Sequence, residues 1–217
     1  FMLAIYGGPD RREASFKFFI YTFVGSLFML LGLAYVAWQH AEQTGDWSFA
    51  IKDLTAFAPS LSAEEQGWIL LALLAGLAVK VPLFPLHTWL PLAHNQAPTA
   101  GSVNFAAVIL KLGLYGLYVF ILPMVPEAVV TWAPTIAVLA VIGIVYAALI
   151  CWVQTDVKKL IAYSSVSHMG FAVLGLLALN PIGLQGSVYY MLSHGFATGG
   201  LFLCIGMMYE RYHTKDC

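Results

Sequence analysis

Charge is scarce in this chain. Only 10% of its 217 residues are Asp, Glu, Lys or Arg, against about 25% in a soluble domain. With 60% hydrophobic residues, that shortage excludes a water-soluble globule and leaves an integral membrane protein. A net charge of −1 offers nucleic acid no basic surface, so no nucleic-acid partner is expected. Cysteine is scarce too. Cys151, Cys204 and Cys217 form no CxxC pair and match no iron–sulfur ligand pattern. Cys151 and Cys204 fall in apolar runs, where they serve as small core residues. No GxGxxG or P-loop string occurs, which excludes a nucleotide site of those kinds. No signal-peptide pattern is visible. The chain opens at Phe1 on six apolar residues with no helix start, and reads as an internal piece of a longer protein, cut inside a membrane helix.

What is abundant is long apolar runs. Residues 1–6 read as the tail of a helix, stopped by Gly7, Gly8 and Pro9. A charged hinge of Asp10, Arg11, Arg12 and Glu13 follows. The pattern then predicts an all-α polytopic bundle of about six spans in one membrane domain, 1–217. The spans are 16–38, 67–90 (broken near Pro82 and Pro85), 98–122, 133–153, 160–179 and 187–209. Each is near the ~20 residues that a bilayer requires. Residues 39–66 read as a polar, acidic loop with a short surface helix, and 154–159 as a tight polar turn. Ten glycines scattered over the spans are scaffold, allowing close helix packing.

Basic residues fix the expected orientation. With the hinge in the cytoplasm, Arg11, Arg12, Lys17, Lys158, Lys159, Arg211 and Lys215 lie inside and only Lys52 lies outside. The outer loops hold Glu42, Asp46, Asp53, Glu64, Glu65 and Glu127.

Two lysines remain within the membrane, Lys80 and Lys111, with His87, Trp89, Pro91, His94 and Pro98 between them. A lysine at a helix centre costs roughly 2.5–3.5 kcal/mol on insertion scales and usually marks an ion path. A broken helix beside it is tolerated only where protein or a water-filled cavity satisfies the freed backbone. Lys80 and Lys111 each lie roughly 20 Å into their spans, His168 about 12 Å and His194 about 11 Å, at ~1.5 Å per residue. Four titratable groups therefore share a mid-membrane depth on four helices.

Each has a plainer reading. The lysines could be structural ion pairs, but no carboxylate lies in any of the six spans, so a partner must come from outside this stretch. His168, among Ser164, Ser165 and Ser167, and His194, near Tyr190, Ser193 and Thr198, could be hydrogen-bonded core residues, proton relays or haem ligands. His87 and His94, seven residues apart, match no metal spacing such as HExxH. With Pro82 and Pro85 they are expected to gate or shape the break. No metal site is expected.

The strings KVPLFPLHTWLPLAHNQAPTAGSV, FAAVILKLGLYGL, QTDVKKLIAYSSVSHMGF and YMLSHGFATGGLF resemble the antiporter-like membrane subunits of proton-translocating NADH:quinone oxidoreductase, respiratory complex I. The likeness extends to KFFIYTFVGSLFML and YERYHTKD, and so covers nearly the whole chain. It implies an all-helical fold of two inverted five-helix repeats, each with a broken helix, in line with transporter folds that bind at the midplane. It also implies that Lys80 is the pumping lysine, Lys111 the connecting one, and His168 and His194 the central-axis histidines. The family glutamate that pairs with the first lysine would precede Phe1; Glu13, in the hinge, is no substitute. The second broken helix would follow Cys217. The family usually reads LPDAH where this chain has Leu92.

The expected activity is proton translocation as a subunit of an oxidoreductase, driven by quinone reduction elsewhere. The resemblance implies no redox centre in this chain: NADH, FMN, iron–sulfur clusters and quinone belong to other subunits. Expected partners are the other membrane subunits of complex I, neighbouring antiporter-like ones among them, and the lipid bilayer. The expected location is a bacterial inner membrane. The rival readings are a cation/proton antiporter or membrane-bound hydrogenase subunit, a haem-bearing quinone oxidoreductase subunit, and a non-conducting scaffold.

Overall fold

The computed structural model, which describes residues 1–212 and 214, has no β-strand among those residues. Lys215 and Cys217 lie outside the described residues. The short helix α1 spans Met2–Tyr6 and is followed by the hinge. Helix α2, Arg11–Thr44, ends at Gly45, whose φ of 83° is the left-handed cap that glycine adopts without strain. Helix α3 covers Ile51–Phe57. Helix α4, Ala63–Lys80, starts in a capping box: Ser62 accepts from the Glu65 N–H while the Glu65 carboxylate takes the Ser62 N–H. An irregular segment, 81–88, leads to α5, Trp89–Gln96. Then come α6 (Thr99–Met124), α7 (Pro126–Trp152), α8 (Val157–Leu177) and α9 (Pro181–Tyr212).

Among the described residues, five helices are long and apolar enough to cross a membrane: α2, α6, α7, α8 and α9. The sixth expected run is the interrupted pair α4/α5. Its continuous part has 18 residues and carries Glu64, Glu65 and Lys80. Helix α7 begins seven residues before the sequence reading of 133–153 and continues through Pro134. A proline costs a soluble helix about 3 kcal/mol, but membrane helices tolerate it because neighbouring groups take up the freed carbonyl.

Glycine sets the closest helix contacts. A Cβ on Gly76 would lie 2.7 Å from the Gly25 carbonyl oxygen, so α2 and α4 cross backbone to backbone. The bundle ends are tied by polar side chains. At one end Gln66, fully buried, donates to the carbonyls of Pro59 (3.3 Å) and Leu61 (3.0 Å) and accepts from the Glu127 N–H (3.2 Å). At the other, the Gln96 carbonyl accepts from the Gly8 N–H (2.8 Å), and its side chain pairs with Asp10. The hinge before α2 and the end of α5 thus meet.

Candidate functional site

The break after Lys80 is shaped by what the chain cannot do there. Pro82 and Pro85 carry no N–H, so the α4 ladder loses donors. The loss is made good locally. The Trp89 indole N–H donates to the Val79 carbonyl at 3.0 Å, and Trp89 is fully buried. The Leu83 N–H reaches the Ala78 carbonyl at 2.9 Å. The break is therefore a built segment, packed inside protein as a membrane demands. Lys80 is the last residue of α4, where the helix dipole favours a cation. It is half-buried and has no carboxylate partner among the described residues. A Cβ on Gly113 would lie 3.0 Å from Lys80 Cβ, so Lys80 abuts α6 two residues from Lys111.

Helix α6 departs from α geometry twice, with π turns at Phe105–Ile109 and Leu117–Ile121. Lys111 lies between them. Its ammonium donates to the Ala106 carbonyl, inside the first π turn, and meets His194 Nδ1 of α9 at 2.7 Å. Glycine makes the approach possible: a Cβ on Gly195 would stand 3.2 Å from the Ala107 carbonyl oxygen and 3.5 Å from Lys111 Cε. The His194 ring lies 5.5 Å from the His168 ring of α8, centroid to centroid. His168 Nδ1 meets the Tyr190 hydroxyl at 2.6 Å. His194 is buried, and its Nε2 has no protein partner. Three helices thus bring Lys111, His194 and His168 into one run, closed by Tyr190.

The hydroxyls expected around the histidines are placed otherwise. Ser164 and Ser165 donate to the Ile161 carbonyl, and Ser167 to the Ile144 carbonyl. Thr198 donates to the His194 carbonyl. In a helix a hydroxyl can bond back to the carbonyl three or four residues earlier; Ser164, Ser165 and Thr198 do so, while Ser167 bonds across to α7. Tyr190, grouped with His194 by sequence proximity, bonds His168 across helices instead.

His87 and His94 are both buried, on the segment after the break. His87 packs edge-on to Tyr146, rings 5.5 Å apart. His94 stacks flat on Phe202 at 4.6 Å, and neither of its ring nitrogens has a protein partner. They do not join the Lys111 run. Pro82 is buried and Pro85 exposed. Leu92 is half-buried against the core, so an apolar side chain fills the place of the expected aspartate.

Lys158 differs most from its sequence reading. Expected in a polar turn, it lies in the first turn of α8, which Asp156 caps by accepting from the N–H groups of Lys158 and Lys159. It is 4% exposed, and its ammonium donates to the Ala97 carbonyl at 3.1 Å. The Tyr209 ring lies beneath it, 5.9 Å to the centroid. The adjacent lysines of the QTDVKK string gave no sign which one turns inward.

The chain is similar to known proteins over its whole length. Residues 1–217 match the family model described as NADH:quinone oxidoreductase/Mrp antiporter, TM. The chain is 46% identical to NADH-quinone oxidoreductase subunit M of Rhodobacter capsulatus, over 99% of its own length and 43% of the relative's. It is 42% identical to the same subunit of Escherichia coli K12, over 100% of its length and 43% of the relative's. It therefore spans less than half of these relatives. Among solved structures, respiratory complex I from Thermus thermophilus superposes with a TM-score of 0.89 at 35% identity, covering 99% of this chain and 45% of that one. The membrane-bound sulfane sulfur reductase, an archaeal respiratory membrane complex, gives 0.84 at 29% identity, covering 99% and 43%. The Mrp complex from Dietzia gives 0.75 at 22%, covering 91% and 35%, a likeness of fold.

Proposed function

Because the chain belongs to the NADH:quinone oxidoreductase/Mrp antiporter transmembrane family, we propose that it moves protons across the membrane along Lys80, Lys111, His194 and His168, as part of a subunit M module coupled to quinone reduction elsewhere in the complex. The observation that carries this reading is the 2.7 Å contact between Lys111 Nζ and His194 Nδ1. An ammonium only donates, so His194 Nδ1 accepts while Lys111 is charged. Handing the proton over leaves a neutral amine and an imidazolium. That ring then releases a proton from Nε2, its other nitrogen, on the side away from Lys111. A proton that enters at one nitrogen and leaves from the other is carried forward rather than returned. His168, whose ring lies 5.5 Å from that of His194, receives next and hands a proton from its Nδ1 to the Tyr190 hydroxyl, which gives up its own in turn. Lys80, against α6 near Lys111, is the group that loads the run.

Every donor in this run belongs to the chain itself. The redox groups that supply the energy are assigned to other subunits, and the partners are the neighbouring membrane subunits of the complex. The haem reading fits the side chains poorly. The two rings pack directly against each other, 5.5 Å between centroids, with no slab between them for a macrocycle.

The test uses the full-length protein in its complex, reconstituted in vesicles. Lys111→Ala and His194→Ala are expected to assemble and to lower protons moved per NADH oxidised. Unchanged stoichiometry in assembled Lys111→Ala complex would refute the path.

A further inference from the structure

At the end of the bundle that carries the 45–62 loop, α2 and α4 part to leave a cavity of about 320 Å³, within the range of ligand clefts. Its floor is small: a Cβ on Gly32 would stand 3.0 Å from Ala72 Cβ. Leu31 and Ile69 make apolar walls. Its mouth is polar and aromatic. Tyr35 and Glu65 line it, and Trp68 stands there 66% exposed. Glu65 and Trp68 are three residues apart, hence on one face of α4.

The mouth has a definite charge character. Glu65 Oε1 accepts from the Tyr35 hydroxyl at 2.9 Å and from Gln39 at 3.0 Å. Its Oε2 accepts from the Ser62 N–H at 3.0 Å and the Ser62 hydroxyl at 2.6 Å. All four donors are neutral, so they fix the carboxylate without cancelling its charge. From Glu42 to Glu65 the sequence has five acidic residues and one basic, Lys52. The Trp68 indole N–H makes no hydrogen bond among the described residues. Tryptophan at this level is typical of the bilayer interface.

We infer that this groove binds a phospholipid with a primary ammonium headgroup, phosphatidylethanolamine. The acyl chain lies over Gly32 and Ala72, the ammonium sits at Glu65, and the phosphate takes the Trp68 N–H. Glu65 to Ala72 is seven residues, about 10 Å along the helix, the separation of an interfacial headgroup from the upper acyl chain. The surrounding acids disfavour an anionic lipid. The membrane itself supplies the ligand, since the groove opens on the side of a chain that crosses it.

The experiment photo-crosslinks the full complex with a photoactivatable phosphatidylethanolamine and maps the labelled peptides. Labelling is expected within residues 31–35 or 65–72, with unlabelled phosphatidylethanolamine competing better than phosphatidylglycerol. One exposed ion pair of 0.2–1 kcal/mol sets that preference at up to about fivefold. Glu65→Gln keeps the capping box and should make the two lipids compete equally. Ala72→Leu fills the floor and should abolish labelling there while the complex still assembles. Absence of label in these peptides, equal competition in the wild type, or an unchanged preference in Glu65→Gln would each overturn the proposal.

Discussion

A lysine in the proposed proton path must be able to lose its proton, and Lys80 gives the clearest test at the scale of one residue. Alanine removes the charge and its burial cost, so Lys80→Ala should assemble but pump poorly. Arginine keeps the charge at every accessible pH, so Lys80→Arg should also assemble and pump poorly. A structural ion pair predicts the reverse: arginine rescues, and alanine weakens the bundle by leaving a buried carboxylate unpaired. Proton uptake measured beside the amount of assembled complex separates the two. His168→Ala should likewise assemble and slow pumping, with no change in visible absorption spectrum; a spectral change would favour haem. Glu65, before the apolar run that begins at Gly67, gives a pH test. The Ser62 hydroxyl first, then the Tyr35 hydroxyl and the Ser62 N–H, hold its carboxyl below the ordinary 4.5. A depressed folded value adds stability that is complete above the unfolded value and lost as pH falls through the folded one. Heat stability in detergent should therefore fall less on acidification below pH 4.5 in Glu65→Gln than in the wild type. At this scale the sequence was informative where composition made a residue costly. Lys80, Lys111, His168 and His194 stand out because polar groups in apolar runs demand a reason. Their pairing was not legible, because it depends on which faces of α6, α8 and α9 meet.

Elements were legible to the extent that the chain marks them. Pro82 and Pro85 announced the break in α4/α5. The π turns flanking Lys111 carry no proline and no charge, so nothing in residues 105–121 predicted them. Lys111 lies between them, and its ammonium bonds the Ala106 carbonyl inside the first. Helix α7 instead begins at Pro126, seven residues before the expected start, and runs through Pro134. Two substitutions test the element-scale account. Trp89→Phe deletes the donor to the Val79 carbonyl and should cost roughly 1–3 kcal/mol, the penalty for a buried group left unsatisfied. Gly76→Val pushes a side chain into the Gly25 carbonyl and should cost roughly 1–3 kcal/mol through overpacking. Thermal unfolding of the detergent-solubilised full-length protein measures both. Stabilities within error of wild type would show that the break and the α2/α4 crossing are looser than the distances imply.

For the whole molecule, the basic bias predicts the orientation, and the two tied ends of the bundle say which segments share a side. The hinge, the end of α5 and the start of α8 share one end; Gln66 and Glu127 share the other. Single cysteines placed at Thr155 and at Thr44, in a background lacking Cys151, Cys204 and Cys217, should be labelled from the cytoplasm and from outside respectively. Labelling of position 155 from outside would reverse the topology. The end shared by the hinge, α5 and α8 also has a mechanical side. The Lys158 ammonium is fastened to the Ala97 carbonyl one residue past α5, and Gln96 is fastened to the hinge of α2. The segment after the break is therefore a crank held at its far end, with α8 as the connecting rod. A movement of that segment would be passed through the Lys158–Ala97 contact to the foot of the helix whose middle bears His168. Replacing Lys158 with methionine takes out the pin while keeping the bulk. Such a protein should still assemble, and its broken helix should swing with less resistance, so that electron transfer continues while fewer protons move with each turnover.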